Sequence, residues 1–520
     1  MAQSTQFSQQ NKGPKSSVAS GQPVPLSLPE NPSAAYALQG GASRNRSPHV
    51  LLILIVAVAA YLRFRGLGDD SIWLDEAASW IQATSGSAAN VIAATARDNY
   101  PPLHNLILWV LISIFGDSEW VLRLPSAVFG VLNVIAIYWV GRLVRGRMTG
   151  LIAALLLALS GFHIWYSQEA RMYALLGLGA TVFAGTVLRL CNRPSNGNTA
   201  LVILSGVALL YSHPYGALTW ISIVATVSAF LIWRPMPGAV IRMRWAMTNL
   251  IAIALFLPWA WVLLRRADAI NRSGFWIDQP TLGSMIGDIQ TLLTGPYTLA
   301  LFGIATVIAF VKPVTSSVPI LGDLETDTAP GLSWMTPMLV LLAWAFGPVV
   351  LGYLASILLE PVFLARYLLG SLPAFLLLAA VGMSRLVRNL GTLALATLLI
   401  VAVSVHALSN YTPGERDDWR SAAALIAEGY DRSICLVFDG EADIGAFRYY
   451  LRQPFDCIVF GETRAEIRPG QLPFDFAYLL ISGGDLLTEG IVEAFRPGWN
   501  VAAASKFKGI DVIAMVRTGS

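Results

Sequence analysis

The sequence predicts an α-helical, polytopic membrane protein with about eleven transmembrane helices and a small extracytoplasmic α/β domain at its C-terminal end. Hydrophobic residues make up 55% of its 520 residues and charged residues only 13%, and this charged fraction is about half that of ordinary soluble domains. Apolar stretches long enough to cross a hydrocarbon core of ~30 Å recur through residues 48–409. After Asn410 these stretches give way to short β-rich runs.

Residues 1–47 are rich in Ser, Gln, Pro, Ala and Gly, a composition that predicts a disordered tail. The first apolar run begins near His49 and lacks a small-residue cleavage site, so we interpret it as a signal-anchor helix. Because Arg44 and Arg46 precede this run, the positive-inside tendency predicts a cytoplasmic tail. The chain after Arg65 therefore starts outside.

Residues 66–119 are predicted to form a first outer loop with interfacial helices. Its only long apolar piece, Leu103–Phe115, would rise roughly 20 Å as a helix and is too short to cross. Val121–Val140 is long enough to cross, and it ends at a basic loop, Arg142–Arg147, of the kind retained inside. Both observations give the same orientation.

Further spans are predicted near 149–164, 172–190, 199–212, 215–233, 247–264, 295–311, 334–356, 367–384 and 390–408. The inner loops then hold most of the clustered Lys and Arg residues, as the orientation rule expects. The loop 313–333 is acidic instead, and acidic residues contribute little to that rule. We thus expect a multi-pass protein of the inner or plasma membrane, with a cytoplasmic N-terminus and an extracytoplasmic C-terminal domain.

Residues 410–520 are predicted to form that outer domain. A polar helix opens at Asp417, and strands are predicted at 433–438, 457–460, 476–481 and 501–516, with helices near 441–451 and 485–495. The simplest interpretation is a packing module with no chemistry of its own. A disulfide between Cys435 and Cys457 is conceivable on the oxidising side.

Two classes of partner find no support in the residues. The net charge is only +3 and the basic residues form no extended stripe, so we expect no nucleic-acid partner. The three cysteines lack metal-ligand spacing.

The acidic pair Asp75-Glu76 lies between Trp73 and Trp80, directly after the first apolar segment. An ionised side chain near hydrocarbon costs several kcal/mol and tends to be functional when it persists. The alternative is that the pair simply caps or solvates an interfacial helix.

Other polar residues at membrane level fall at the outer ends of spans by the same count, whereas the unpaired arginines fall on the inner side. This sorting predicts one outward-facing polar cavity at the bilayer edge. Its candidate members are Asp75, Glu76, His104, Glu169, Arg171, Tyr173, His213 and Arg366. Individually, His213 is also typical of a turn, Arg171 of a pair with Glu169, and Arg366 of a residue that reaches for lipid headgroups.

Taken together, these motifs resemble the GT-C glycosyltransferases that use polyprenyl-phosphate sugars. The resemblance is to the dolichyl-phosphate-mannose protein mannosyltransferases and lipid A aminoarabinose transferase, that is, glycosyltransferase families 39 and 83, over about residues 50–410. It is carried by Trp73-Leu74-Asp75-Glu76-Ala77, Tyr100-Pro101-Pro102-Leu103-His104, Arg123-Leu124-Pro125-Ser126, the run from Phe162 to Tyr173, and Arg366-Tyr367-Leu368.

The resemblance implies that the acidic pair of the first outer loop is catalytic, which by matching position falls on Asp75 with Glu76 beside it. This chain has Tyr100 where the family's Pro-Pro motif often starts with His. It also lacks the extra lumenal modules of eukaryotic protein mannosyltransferases, which weakens the case for a protein acceptor relative to a glycan or lipid.

The expected reaction is inverting transfer of a sugar from a polyprenyl-phosphate donor to an acceptor on the outer side of the membrane. Such a donor already has a good leaving group, so the protein must deprotonate the acceptor and stabilise developing phosphate charge. We expect Asp75 to be the general base, Glu76 and Glu169 to orient or tune it, and Arg171 or Arg366 to hold the phosphate.

His104, Tyr173 and His213 are expected to contact substrate. The second carboxylate could instead hold a divalent cation with His104 as a further ligand, but no ligand spacing requires one.

Two other classes of protein remain as alternatives. A polytopic transporter would also carry intramembrane charge, although it should have interrupted helices in two corresponding halves. A non-catalytic membrane scaffold that presents the outer domain would leave Asp75 unconstrained.

Overall fold

The computed structural model describes residues 47–98, 100–233, 239–273, 277–310, 335–386, 416–429, 434–439, 444–454, 456–461, 468–482 and 485–518, together with 391, 398 and 402. The predicted tail apart from Ser47, the acidic loop 313–333 and nearly all of the predicted span 390–408 lie outside the described residues.

The chain begins with an apolar helix and a loop of short helices. Helix α1 is Ser47–Phe64, and the loop holds α2 (Leu74–Ala83), α3 (Ala88–Thr95) and α4 (Leu103–Phe115). Helix α4 has 13 residues and the predicted bounds, and at 1.5 Å per residue it is too short to cross a bilayer.

The helices that follow are mostly long and apolar. They are α5 (Glu119–Val144), α6 (Arg147–Ala158), α7 (Gly161–Ser167), α8 (Tyr173–Asn192), α9 (Asn196–Leu210), α10 (Pro214–Trp233), α11 (Ala239–Ser273), α12 (Leu282–Leu292), α13 (Pro296–Ile308), α14 (Met335–Leu358) and α15 (Leu372–Leu386). Within the described ranges, five helices are long and apolar enough to cross a membrane, or up to seven if each of two bent pairs counts as one span. A helical multi-pass architecture is thus confirmed.

Three predicted spans depart from single straight helices. The predicted span 149–164 divides into α6 and α7, which meet at 64°, and the span near 295–311 is preceded by α12 at 84° to α13. The predicted span 367–384 also departs from one helix, because a 3₁₀ turn at Ala365–Gly370 precedes α15.

A buried arginine of α1 stabilises the break between α6 and α7. Arg63 is fully buried and donates to the carbonyl oxygens of Leu157 and Ala158, at 2.9 and 3.1 Å. Its guanidinium also lies 2.9 Å from Nδ1 of His163 in α7. Because the last carbonyls of a helix have no intrahelical partner, these contacts satisfy groups that the break leaves free at membrane depth.

Small residues let the helices approach closely around this break. A Cβ added at Gly141 of α5 would meet the Cα of Gly150 in α6 at 2.6 Å, and one at Gly150 would meet the carbonyl oxygen of Tyr138 at 2.5 Å. Any larger side chain at either glycine would push the two helices apart, as at other small-residue helix contacts in membranes. The tight α5–α6 pair fixes the position of α7 and of the loop that follows it.

The C-terminal domain is a five-stranded mixed sheet with helices. Its elements are α16 (Trp419–Gly429), β1 (Ile434–Phe438), α17 (Ile444–Tyr450), β2 (Ile458–Phe460), β3 (Phe476–Ile481), α18 (Asp485–Phe495), β4 (Trp499–Phe507) and β5 (Ile510–Arg517). The strand order is β2-β1-β3-β5-β4; β1 is parallel to β2 and β3, and β5 is antiparallel to β3 and β4.

Two sequence expectations for this domain are refined. The single strand predicted at 501–516 is a β4–β5 hairpin, because the turn places Gly509 at φ +71°, a conformation that glycine adopts readily. The conceivable disulfide between Cys435 and Cys457 is present, with Cα atoms 4.7 Å apart. It joins β1 to the residue that precedes the neighbouring strand β2.

The domain packs on the first outer loop through charged and aromatic contacts. Arg420 of α16 donates to the carbonyl oxygens of Gly68 and Asp69, both at 3.1 Å, and pairs with Glu119 at 2.9 Å. The hydroxyl of Tyr450 accepts a hydrogen bond from the backbone of Ile72 at 2.8 Å. These contacts reach the residues directly before α2, so the outer domain helps to position that helix.

The predicted orientation is testable by cysteine labelling. We expect a membrane-impermeant thiol reagent to label a Cys at Ser87 in intact cells and to leave a Cys at Gly197 unlabelled until the membrane is opened, because the positive-inside count assigns them to opposite sides. Both positions are exposed, and a Cβ added at Gly197 would meet no heavy atom within 4 Å. A Cys191→Ala background removes the free thiol, and the reverse labelling pattern would overturn the orientation.

Candidate active site

Helix α2 directs the two acidic side chains in different directions. Its N-cap is Trp73, with no side-chain cap hydrogen bond, and Asp75 and Glu76 lie in its first turn. Successive helical residues point about 100° apart, so one carboxylate is buried in the protein interior while the other is partly exposed. Neither carboxylate caps the helix, so the structure does not support the alternative in which the acidic pair simply caps α2.

Glu76 is fully buried and its carboxylate is saturated with donors. Oε1 accepts from Nε of Arg123 and from the backbone N–H of Ala170, both at 2.8 Å. Oε2 accepts from Nη2 of Arg123 at 2.6 Å and from Nη1 of Arg416 at 3.0 Å. The forked contact with Arg123 is the bidentate geometry that makes such pairs specific. Glu76 therefore positions α2 and has no free oxygen for a substrate.

The same contacts set the charge of Glu76. Burial by itself raises the pKa of a carboxyl group, but the guanidinium groups of Arg123 and Arg416 together with the Ala170 N–H lower the pKa of Glu76 to about 2. The carboxylate is consequently ionised at physiological pH.

Asp75 is the more accessible acid of the pair. Its Oδ2 lies 3.2 Å from Nη1 of Arg366, and the two side chains are 21% and 17% exposed. Arg366 therefore contacts the carboxylate of Asp75, and its side chain does not only reach toward lipid headgroups. Arg366 also lines a cavity, so the pair lies at the edge of that cavity.

Arg171 supports α2 from the other side. Its Nη1 donates to the carbonyl oxygen of Asp75 at 3.1 Å and to Oγ of Ser79 at 3.2 Å, and its guanidinium lies 4.9 Å from the ring centre of Tyr100. The side chain is only 3% exposed. Its contacts fix the backbone beneath Asp75, and it does not use its side chain to pair with Glu169.

Aromatic rings pack beneath these arginines. Tyr100 and Tyr367 share a hydrogen bond of 2.8 Å between their hydroxyl groups, and the guanidinium of Arg366 lies 5.9 Å from the ring centre of Tyr173. His213 packs against the rings of Tyr100, Tyr173 and Tyr367, and its Nδ1 accepts from the backbone N–H of Tyr215 at 3.1 Å. Tyr173 and His213 thus lie in one layer with the site, and His213 also closes the turn before α10.

Glu169 lies in the loop between α7 and α8 and is fully buried. Within the part of the chain that the structure describes, neither of its carboxylate oxygens has a hydrogen-bond partner. Burial raises the pKa of Glu169 to about 7; Arg416 opposes this shift, and the negative charges of Glu76 and Asp75 add to it. This carboxyl therefore differs from Glu76, which is buried but fully paired.

Glu169 faces a cavity of about 370 Å³ that we call the Glu169 cavity; it is lined by Trp73, Trp165, Tyr166, Glu169, Arg366, Arg416 and Asp417. Arg366 belongs to both this cavity and the pair with Asp75. The predicted acids and arginines thus converge on one location at the outer loops.

His104 does not join that group through a contact. It is fully buried in α4, and its Nδ1 lies 3.3 Å from Oδ1 of Asn105. Over the described ranges, no group of three or more His, Cys, Asp or Glu side chains is arranged to hold a metal ion. The divalent cation considered from the sequence stays a prediction, and we assign no step to one.

Two arginines of the site were not assigned a role from the sequence. Arg123 had a signal, since an arginine inside the apolar α5 is a residue that membrane burial makes costly. Arg416 had none, because it lies in the first residues of the outer domain, before α16, and its partner Glu76 is 340 positions away.

Comparison with known protein families and curated sequences gives one family match. The family model described as dolichyl-phosphate-mannose-protein mannosyltransferase matches residues 99–262. A comparison with curated protein sequences finds no significant match.

Solved structures resemble nearly the whole chain. ArnT from Cupriavidus metallidurans in the apo state has a TM-score of 0.58 at 16% identity, covering 89% of this chain and 97% of ArnT. The same protein bound to undecaprenyl phosphate gives 0.56, with the same identity and coverage. The archaeal oligosaccharyltransferase AglB from Archaeoglobus fulgidus, in complex with an inhibitory peptide and a dolichol-phosphate, gives 0.51 at 12% identity and covers 84% of this chain and 70% of AglB. The chain therefore has the fold of the GT-C membrane glycosyltransferases, as its motifs predict.

Proposed function

We propose that this protein transfers a sugar from a polyprenyl-phosphate donor to an acceptor at the outer face of the membrane, with inversion at the anomeric carbon. The observation that carries the proposal is the partly exposed Asp75–Arg366 pair, whose arginine lines the Glu169 cavity, next to Glu76, which is buried and fully paired. The ArnT and AglB structures support the donor class, since those proteins are bound to undecaprenyl phosphate and to a dolichol-phosphate.

In this mechanism Asp75 is the general base. Its carboxylate takes the proton of an acceptor hydroxyl, whose oxygen forms a bond to the anomeric carbon while the bond from that carbon to the phosphate oxygen breaks. The electron pair of the broken bond leaves with the polyprenyl phosphate. General-base assistance of this kind contributes roughly 10²–10⁴ to a rate.

Arg366 is the better candidate of the two arginines for the donor phosphate. Arg171 is 3% exposed and its Nη1 is occupied by the backbone of Asp75 and by Ser79. Arg366 is 17% exposed and lines the cavity. A phosphate that attracts Arg366 would also loosen its hold on Asp75, and a less paired carboxylate is a stronger base.

The proposal is tested by a transfer assay with the purified full-length protein in lipid nanodiscs. Undecaprenyl phosphates carrying labelled mannose, glucose, galactose or arabinose are supplied as donors with a membrane extract as acceptor source. We expect label to move from at least one donor to a non-donor product, and none to move when the protein is omitted. Absence of transfer from all donors, together with uptake of one of them into sealed vesicles, would favour the transporter alternative.

We expect Arg366→Lys to lower the rate of transfer roughly 10- to 100-fold. Lysine keeps the positive charge but loses the forked contact to phosphate. That contact contributes about as much as one or two charged hydrogen bonds. The effect should appear as weaker binding of bare undecaprenyl phosphate. Arg265→Lys is a suitable control, since Arg265 is a basic residue of α11 that contacts Trp261 and does not line the cavity. Unchanged donor affinity in Arg366→Lys would remove the phosphate role.

A further inference from the structure

The Glu169 cavity contains polar groups that the reaction described above does not use. Both carboxylate oxygens of Glu169 and the indole N–H of Trp73 are buried and have no hydrogen-bond partner within the described ranges, and both residues line the cavity. A buried polar group without a partner costs free energy, and such a group calls for an explanation in a native structure. Here an unused acceptor and an unused donor face the same space.

An acceptor beside a donor is the arrangement that fits hydroxyl groups, because each hydroxyl both donates and accepts. Three aromatic side chains, Trp73, Trp165 and Tyr166, supply apolar surface around these groups, as is usual in small-molecule sites. The volume of about 370 Å³ lies near the lower end of the ~300–1,000 Å³ found for such sites, which suits one small polar molecule.

The charges of the cavity disfavour a phosphate at Glu169. Of the two guanidinium groups that line the cavity, Arg366 is assigned to the donor phosphate at the edge that it shares with Asp75, and Arg416 is already paired with Glu76 at 3.0 Å. The carboxyl group of Glu169 would repel a phosphate when it is ionised. A neutral hydroxylated ligand meets neither obstacle.

Part of the cavity is supplied by the outer domain. Arg416 donates to Glu76 and, at 3.2 Å, to the carbonyl oxygen of Gln168, and its guanidinium lies 5.6 Å from the ring centre of Trp165. The backbone beside it is held by the outer domain, since the N–H of Asp418 donates to the carbonyl oxygen of Lys508 in the β4–β5 turn at 2.9 Å. The C-terminal domain therefore reaches into the site and is more than a packing module.

We propose that the Glu169 cavity is the recognition subsite for the sugar itself, in which Glu169 and Trp73 bind sugar hydroxyl groups and Arg416 of the outer domain closes the wall. This inference rests on the proposed function, and it specifies that the cavity recognises the sugar part of the donor. Glu169 is then a specificity residue, and Arg416 is a positioning residue that acts through Trp165 and the Gln168 backbone.

The test compares two ligands of the purified full-length protein in nanodiscs: bare undecaprenyl phosphate, and undecaprenyl phosphate linked to mannose, glucose, galactose or arabinose. We expect at least one sugar-linked lipid to bind wild-type protein more tightly than the bare lipid. Glu169→Gln and Trp73→Phe should each lower affinity for that lipid roughly 10- to 100-fold, as expected for lost hydrogen bonds to a charged or buried group. Affinity for the bare lipid should change less than about threefold.

Arg416→Gln should reduce the same sugar-dependent gain. Arg452→Gln is its matched control, because Arg452 is also an outer-domain arginine that pairs with an acid near the first outer loop, Asp117 at 3.0 Å, and it does not line the cavity. Thermal unfolding of each variant checks that the fold persists. Glu169→Gln has the same shape as the native side chain and removes only a buried charge, so it remains informative if Arg416→Gln fails to fold.

The outcomes separate the two proposals. Wild-type protein that binds neither lipid would overturn the proposed function. Wild-type protein that binds bare and sugar-linked lipids equally, or a Glu169→Gln variant that keeps the full sugar-dependent gain, would overturn the sugar subsite alone. Equal weakening of both lipids in Glu169→Gln would also overturn it, because the cavity would then serve the phosphate.

Discussion

Replacing Asp75 with Asn is expected to lower sugar transfer by roughly 10²–10⁴, the usual contribution of a general base. Asparagine keeps the shape of the side chain and can still accept a hydrogen bond from Arg366, but it cannot take a proton from the acceptor. Because the Asp75–Arg366 pair is partly exposed, its loss should have a small effect on stability. Donor affinity should persist while turnover falls.

The measurement is transfer from an undecaprenyl-phosphate sugar under single-turnover conditions, with donor binding measured separately. Asp117→Asn is a matched control, since Asp117 belongs to the same loop, is 23% exposed and also pairs with an arginine, but its partner Arg452 does not line the Glu169 cavity as Arg366 does. Near-normal turnover in the Asp75→Asn variant would contradict the assignment of Asp75 as the general base. A fall of similar size in Asp117→Asn would indicate a general disturbance of the loop.

The helical architecture could be predicted because long apolar segments identify themselves by length and composition alone. The predicted bounds of α4, β3 and α18 match the structure. The break between α6 and α7 has a local signal in Ser160, whose side chain caps α7, but the Arg63 contacts with Leu157 and Ala158 that stabilise it span more than 90 positions. Such a contact leaves no local period or turn signal in the sequence.

The sequence predicted which residues lie together at the candidate site better than it predicted what each of them does. The predicted topology placed Asp75, Glu169 and Arg366 on the same side of the membrane. In the structure Oδ2 of Asp75 lies 3.2 Å from Nη1 of Arg366. The difference between the adjacent acids Asp75 and Glu76 was not predictable, because it is made by Arg123 and Arg416, which are 47 and 340 positions from Glu76. Local sequence assigns two neighbouring carboxylates similar surroundings, whereas tertiary packing exposes one and buries the other.

Replacing Glu76 with Gln is expected to destabilise the protein by about 3–5 kcal/mol, which is the usual cost of removing one partner of a buried ion pair. Arg123 is 1% exposed, so its charge would remain buried with only neutral acceptors, the amide oxygen of the substituted side chain and the carbonyl oxygens of Leu67, Asp70 and Ser71. On this geometry the main effect of Glu76→Gln is on folding, and transfer falls because α2 loses its anchor.

Thermal or denaturant unfolding in detergent measures this effect, and the pH dependence identifies its cause. Because the pKa of Glu76 is lowered to about 2 from an ordinary value of 4.5, its stabilising contribution is complete above about pH 4.5 and is lost as the pH falls toward 2. The difference between wild-type protein and Glu76→Gln should therefore be largest near neutral pH and shrink in acid. Glu493→Gln, which disrupts an exposed pair with Arg496, should change the free energy of unfolding little at any pH.

A double-mutant cycle tests the pairing of Glu76 with Arg123 directly. The double variant Glu76→Gln, Arg123→Met should lose less stability than the sum of the losses in the two single variants, because the second substitution removes the uncompensated charge. Additive costs would mean that the two side chains do not stabilise one another.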